Sequence, residues 1–303
     1  MTVIIVMVIT FFVFEILPGN SALIRAGTNA TQAQIEAMEK EMGLDQPLPV
    51  RFINWIANLL KGDLGTSWSF DRPVASLILS RFGVTLGLTI YTMVLSVLIS
   101  VPIGLYTGLN RRNNKGFIAG LATQIGMAVP SFWLGLMMVL FFGLTLNLFT
   151  PGRFVAFSRN PLFWLYQMLF PALALAIPRI AVLVRYLHSF ISEQYDSSYV
   201  TTARSKGVTE KNILKRHILK NSLIPMLTVL GILIAEIIGG SIIVENIFNL
   251  PGLGRLLISA ISLRDFPLIQ GMVLLISVSV IITHTILDIV YSKIDPRIGG
   301  TLG

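Results

Sequence analysis

The sequence contains no cysteine and only three histidines among its 303 residues. Without cysteine, the chain can form neither disulfide bonds nor thiolate metal sites. His188, His217 and His284 lack metal-ligand spacing, and no His-Glu-x-x-His sequence or pair of aspartates within apolar runs occurs. We therefore expect neither a metal site nor a catalytic site in this chain, and a protein that is not an enzyme.

Charged residues are also scarce, at 13% of the chain against 54% hydrophobic residues. Several apolar runs are longer than a soluble core helix requires. A bilayer core about 30 Å thick takes roughly 20 helical residues to cross, because each backbone polar group in lipid must be paired within its own segment. The composition therefore indicates an integral membrane protein of the all-α class.

The apolar runs predict six transmembrane helices, and the chain is divided accordingly. The helices are placed at residues 1–17, 84–109, 116–148, 166–190, 223–244 and 267–291. The first run is read as a retained helix because no small-x-small signal-peptide cleavage site follows it. The predicted regions are helix one at 1–17, an extracytoplasmic region at 18–82, a five-helix core at 83–291 and a cytoplasmic tail at 292–303.

Two short helices are expected within residues 18–82. Thr31 and Gly43 bracket the first as its amino-terminal cap and its stop. The second, "VRFINWIANLLKG", has apolar residues at helical spacing and carries Trp55. It lies either along the membrane interface or against helix one.

Lysine and arginine counts predict the orientation, because positive residues in short loops resist translocation. With a cytoplasmic amino terminus, eleven lysines and arginines fall in inner segments and four in short outer loops. This excess accounts for most of the net charge of +8. Anionic lipid headgroups, rather than nucleic acid, are therefore the expected partner of the basic loops.

Residues 193–221, here called the basic segment, interrupt the apolar runs with two amphipathic stripes. Tyr195, Tyr199, Val200 and Ala203 form the first stripe, and Gly207 is placed to end its helix in a left-handed turn. Thr209 can cap the second helix, whose stripe contains Ile213, Leu214 and Ile218, and Pro225 is expected to open helix five. A plain solvated loop would not need two such stripes, so we expect them to be buried against a partner.

The stretch "TTARSKG", followed by "LIP", resembles the EAA loop of binding-protein-dependent ABC importers. Thr201, Thr202 and Ala203 match the three opening positions, Gly207 the glycine and Ile224-Pro225 the closing pair. Threonine replaces the glutamate and the first alanine, and the gap to Pro225 is longer, as in the dipeptide, oligopeptide and nickel branch. "GDLGTSWSFDRPV", "VPSFWLG" and "ENIFNLPGLG" are similar to that branch as well, so the likeness covers nearly the whole chain.

The resemblance implies a permease subunit of a bacterial inner membrane that is coupled to ATPases through its EAA loop. The coupling residues would be Tyr199, Thr201, Thr202, Ala203, Arg204, Lys206, Gly207, Ile213, Leu214 and Pro225. It also implies a second homologous permease, two ATP-binding subunits that hold ATP and Mg, and an extracytoplasmic substrate-binding protein. The chain itself would need no cofactor, and short peptides are the expected cargo, with nickel or a metal chelate as the alternative.

Residues 245–266 form an apolar outer loop that we interpret as a gate. Its candidate residues are Glu245, Phe248, Pro251, Gly252 and Gly254, and Pro251-Gly252 is expected to force the turn. A loop simply packed on its neighbours is the alternative.

Charged residues within the predicted helices require a partner or water, and two of them are the candidates for the pathway. Arg179 in helix four and Glu236 in helix five are expected either to pair or to line the pathway. With His284 they could also form a proton relay, so an ATP-independent secondary transporter or channel is a further alternative. Such a transporter would leave the paired inner helices without a role.

Overall fold

A computed structural model describes residues 2–16, 22, 30–110, 114–214 and 218–294, and these residues fold into helices joined by turns and loops. The helices are α1 (Thr2–Ile16), α2 (Gln32–Glu41), α3 (Leu48–Leu60), α4 (Val74–Leu109), α5 (Asn114–Ala128), α6 (Ser131–Met138, continued by the π-helix Val139–Thr145), α7 (Pro161–Tyr195), α8 (Ser198–Ser205), α9 (Glu210–Ile213), α10 (Leu219–Ile247), α11 (Leu253–Ser262) and α12 (Phe266–Ile294). The predicted all-α class is confirmed.

Four helices in the described part of the chain are long and apolar enough to cross a membrane. They comprise Val74–Leu109, Pro161–Tyr195, Pro225–Ile247 and Phe266–Leu287. A fifth span is possible if α5 and α6 count as one, whereas α1 is apolar but only 15 residues long. Most of the predicted tail lies outside the described residues.

The predicted single helix over residues 116–148 is wrong in one respect, because the chain bends there by 88°. The bend follows Ala128, and Pro130 becomes the residue that precedes α6. Proline has no backbone N–H, and its ring disfavours helical geometry in the residue before it. The long apolar run concealed this break, since hydropathy does not register backbone geometry.

Two spans begin earlier than predicted. The helix α4 begins at Val74 rather than at residue 84. Polar residues interrupt the apolar sequence here, but Val74, Leu77 and Ile78 pack into an apolar core and so stabilise the additional turns. The helix α7 begins at Pro161 rather than at residue 166. Its start is set by Asn160, whose side chain accepts a hydrogen bond from the Phe163 N–H at 3.0 Å.

The two short helices expected before α4 are present. Thr31 caps α2 with a reciprocal capping box to Gln34, and Gly43 follows the helix with φ +66°. The helix α3 packs against α1: the ring centroids of Phe11 and Phe52 lie 5.1 Å apart, and those of Phe11 and Trp55 5.5 Å apart. Of the two arrangements left open for this helix, contact with helix one is therefore the one observed.

The described residues group into two compact units, residues 1–85 with 251–279 and residues 86–250 with 280–303. The first unit has a core of apolar residues from α4, α11 and α12. Its polar centre is Asp265, which is 1% exposed and precedes α12. The Asp265 carboxylate accepts hydrogen bonds from the Ser67 hydroxyl at 2.5 Å and from the N–H groups of Trp68, Ser69 and Leu268 at 3.2, 3.0 and 3.3 Å.

In the second unit, glycines let α4 approach α7 closely. A Cβ at Gly104 would lie 2.8 Å from a methyl of Leu187, and one at Gly108 would lie 2.8 Å from a methyl of Ile191. Glycines four residues apart are a typical means of close helix packing in membranes. The helix contact formed by the two glycines of Gly-Leu-Tyr-Thr-Gly was not predicted from the sequence.

We expect Gly108→Leu to destabilise the second unit by about 1–3 kcal/mol, because the added side chain overlaps Ile191. The matched control is Gly120→Leu, since a Cβ there meets no atom within 4 Å. Thermal unfolding of the detergent-solubilised protein measures both. Equal melting temperatures for the two variants would show that α4 and α7 are not in this close contact.

Candidate coupling surface and charged cavity

The basic segment folds into the two short helices predicted for it. The helix α8 ends in a Schellman motif: the Gly207 N–H donates to the Arg204 carbonyl at 2.9 Å, and the Val208 N–H donates to the Ala203 carbonyl at 3.1 Å. Gly207 has φ +77°, so the predicted left-handed turn is confirmed. Thr209 directly precedes α9, and its carbonyl accepts from Asn212 and Ile213.

The apolar stripes of both helices pack on the chain's own long helices. Val200, Ile213 and Ile218 are fully buried in one cluster with residues of α7 and α10. The other members of that buried set are Leu183, Leu187, Ile191, Met226 and Leu233. The stripes are therefore buried against the chain itself rather than against a partner as expected, because α7 and α10 supply the apolar surface they need.

What α8 leaves exposed is a polar face. Thr201, Thr202, Arg204 and Lys206 are exposed, whereas Tyr199, Ala203 and Leu214 are partly buried on the cluster. Hydroxyl and alanine side chains are short, so they project little from this helix. A helix with one face fixed to the bundle and the other bare is suited to docking against another protein.

Arg204 is already paired within the chain. Its Nε and Nη2 donate to the Glu210 carboxylate at 2.5 and 3.2 Å, and its guanidinium lies 5.6 Å from the Tyr195 ring centroid. This hydrogen bonding lowers the pKa of the Glu210 carboxyl below its usual value. Arg204 therefore joins α8 to α9, so Lys206 is the more available cation for an acidic partner.

The sequence predicts that Pro225 opens the fifth helix. In the structure, Pro225 instead lies inside α10. The helix begins six residues earlier, at Leu219. Burial of Ile218 and Met226, on either side of Pro225, stabilises this part of the helix and offsets the hydrogen bond that proline cannot donate. The side chains of Lys215, Arg216 and His217 lie outside the described residues.

The turn after α10 is formed at a different residue from the one predicted. Asn249 has φ +55°, and the Leu250 N–H donates to the Glu245 carbonyl at 2.8 Å. Gly252 is extended and precedes α11 as its cap, so Pro251-Gly252 is not where the backbone turns left-handed. Asparagine tolerates that conformation nearly as well as glycine, which sequence inspection overlooked.

The candidate gate residues are mostly buried. Glu245 is 0% and Phe248 2% exposed, Gly252 and Gly254 are buried as well, and Pro251 is partly buried. The Leu253 N–H donates to the Thr85 hydroxyl at 2.8 Å. The segment is thus packed against neighbouring residues.

Arg179 and Glu236 lie together but do not form an ion pair in the described residues. The Arg179 Nη2 donates to the backbone carbonyl of Glu236 at 3.1 Å, and its Nη1 donates to the Leu175 carbonyl at 3.2 Å. Arg179 is 9% exposed, whereas the Glu236 side chain is exposed. Both line an open cavity of about 310 Å³ together with Pro130, Ser131 and Pro178.

The family models and the related sequences that match this chain all describe membrane components of transport systems. Residues 100–300 match the model of the binding-protein-dependent transport system inner membrane component, and residues 1–89 match the model of its amino-terminal region. A peptide transport system permease protein of Brucella abortus is 38% identical over 97% of this chain and 94% of its own length. The glutathione transport system permease protein GsiC of Pectobacterium atrosepticum is 37% identical over 98% and 94%.

Solved structures show the same fold at low sequence identity. A chain of the MetNI methionine ABC transporter in an inward-facing conformation superposes with a TM-score of 0.60 at 15% identity. The match covers 72% of this chain and 96% of that one. An amino acid ABC transporter solved with histidines gives a TM-score of 0.56 at 19% identity, over 72% and 94%.

Proposed function

Because the chain belongs to the family of binding-protein-dependent transport system inner membrane components, we propose that it forms half of the translocation pathway of an ATP-driven importer of short peptides. It spans the membrane several times and is a permease component. The relatives named above carry a peptide and glutathione, which is itself a short peptide. Nickel or a metal chelate is the alternative cargo.

The proposed topology has six transmembrane helices, with α1 as the first and the α5–α6 pair as the third. The region between α1 and α4 is extracytoplasmic, and the amino terminus is cytoplasmic. Support comes from the apolar spans and from the eleven lysines and arginines in inner segments against four in short outer loops. The basic segment then faces the cytoplasm.

The observation that carries the mechanism is the burial of the basic segment's apolar stripes on α7 and α10. We infer that the exposed face of α8 docks on an ATP-hydrolysing subunit. Because Val200 and Ile213 anchor the same short helices to the bundle, a pull on the face of α8 moves the ends of α7 and α10. Coupling therefore depends both on the packing of the basic segment against α7 and α10 and on the contact of α8 with the ATP-hydrolysing subunit.

The complete transporter would contain four further components. These are a second homologous membrane subunit, two ATP-binding subunits that hold ATP and Mg, and an extracytoplasmic substrate-binding protein. The segment 245–266 would close the outer end of the pathway and meet the binding protein. No cofactor is assigned to this chain.

Reconstituted uptake tests the proposal. The chain, its second membrane subunit, both ATPases and the binding protein are placed in liposomes, and entry of a labelled dipeptide is followed. We expect uptake to require ATP and the binding protein. Uptake by the membrane subunits without ATP would establish a secondary transporter, and uptake of labelled nickel but not of dipeptide would establish the alternative cargo.

A further inference from the structure

The cavity beside Arg179 lies where the α5–α6 span is broken. Val129, Pro130 and Ser131 line it from the break, Arg179 from α7 and Glu236 from α10. All of these residues belong to the second compact unit. Its volume of about 310 Å³ is large enough for a small organic group.

Arg179, which lines this cavity, has unused donors, because its Nη1 and Nη2 carry two N–H groups each and use one each on a backbone carbonyl. Two of its nitrogens donate to backbone carbonyls, whereas the buried Nε has no hydrogen-bond partner among the described residues. Carbonyl groups accept hydrogen bonds but do not cancel a full charge. A guanidinium in an apolar bundle is costly without a directly bonded counter-charge, which the nearby Glu236 carboxylate does not provide, and a carboxylate is the group whose geometry it fits best.

The break supplies a second positive element. Pro130 precedes α6, and no side chain caps the first turn of that helix, so its N–H groups add partial positive charge next to Ser131. A Cβ at Gly240 would lie 3.1 Å from the Arg179 Nη2 and 3.7 Å from the Ser131 hydroxyl. Glycine at this position therefore keeps open the space between the guanidinium and the hydroxyl.

We propose that this cavity binds the carboxylate of the transported molecule, with the Arg179 guanidinium, the Ser131 hydroxyl and the start of α6 as its donors. The exposed Glu236 carboxylate lines the same cavity and suits an ammonium group. The site thus fits a zwitterion with both termini free. This inference rests on the proposed transport of short peptides, whose free carboxylate it would recognise inside the membrane subunit.

The absence of native cysteine makes the site directly testable. In the complete reconstituted transporter, Val129→Cys is introduced as the reporter in this chain, with cysteines in the other subunits removed. Labelling by the anionic reagent sulfonatoethyl methanethiosulfonate is timed with alanylalanine, with alanylalaninamide, or with neither. The control reporter is Thr123→Cys, which lies on α5, six residues before residue 129, beside Arg185 in another cavity.

We expect alanylalanine to slow labelling of the Val129→Cys protein about fivefold or more, and the amide at the same concentration less than about twofold, because the amide lacks the negative charge that the guanidinium would bind. Arg179→Gln should remove the difference, and Arg179→Lys should keep part of it. If Arg179→Gln does not fold, Gly240→Ala provides the second variant, since its methyl fills the space between the donors. Labelling at Thr123→Cys should not respond.

Equal slowing by the acid and the amide, or no slowing by either, would overturn the carboxylate site. Uptake of the same dipeptide by the same complex separates this failure from failure of the proposed function. ATP-dependent uptake without protection at residue 129 rejects the site alone. Absence of any ATP-dependent dipeptide uptake rejects the proposed function.

Discussion

Val200→Asp is expected to lower peptide uptake by the complete transporter to under about a twentieth of the parent value, because burying an unpaired carboxylate costs several kcal/mol. Val200 is 0% exposed and belongs to the cluster that holds α8 on α7 and α10. The helix α8 is only eight residues long, so we expect it to detach while the spans stay in the membrane. ATP hydrolysis should lose its stimulation by the loaded binding protein.

The matched control is Ser198→Asp, which adds the same charge at an exposed position in the first turn of the same helix. A negative charge there interacts favourably with the helix dipole, so uptake and stimulated hydrolysis should stay within about twofold of the parent. Membrane levels of both variants are measured by quantitative immunoblot. Normal uptake by the Val200→Asp protein would show that the apolar anchor is not needed for coupling.

Asp265→Ala is expected to destabilise the first compact unit by about 3–4 kcal/mol, because hydrogen bonds to a buried charged group contribute ~1.5–3 kcal/mol each and their donors are left without an acceptor. The carboxylate accepts from Ser67, Trp68 and Ser69 and also caps α12 through Leu268. Amide hydrogen exchange should rise sharply over residues 66–72. The effect on the second unit should be small.

Asp45→Ala provides the control for this change, since Asp45 is exposed. Its exchange and melting temperature should match those of the parent. Asp265→Asn keeps the size and one acceptor, so it should fall between the two. Unchanged exchange over residues 66–72 in the Asp265→Ala protein would mean that the carboxylate does not hold this loop.

The apolar runs predicted where the long helices lie, because lipid and core burial both require continuous apolar surface. They did not predict where those helices begin. Val74 starts α4 amid polar residues, and Leu219 starts α10 ahead of Pro225. In both cases packing of a few buried side chains extends the helix beyond its apolar window, and that packing depends on residues distant in the sequence.

The sequence pattern located the candidate coupling surface but did not predict its contacts. Periodicity identified Val200 and Ile213 as buried, and Gly207 as the turn, from local rules alone. It could not tell that α7 and α10 of the same chain cover the stripes, because an amphipathic pattern does not specify its partner. Asp265 was also missed, because the sequence does not show that the distant residues 67–69 would donate to its carboxylate. Its role as a cap could have been predicted, since an aspartate just before an aromatic-proline pair is a typical helix cap.

Cross-linking from the exposed face of α8 tests the coupling account most directly. Lys206→Cys carries a benzophenone maleimide in the complete transporter, with Lys61→Cys as the matched control in the region proposed to face the opposite side. We predict that only the label at residue 206 reacts with an ATP-hydrolysing subunit, and that its yield changes when ATP is added. A label at residue 206 that stays fully accessible to a water-soluble thiol reagent in the assembled complex and forms no adduct with that subunit would contradict the account.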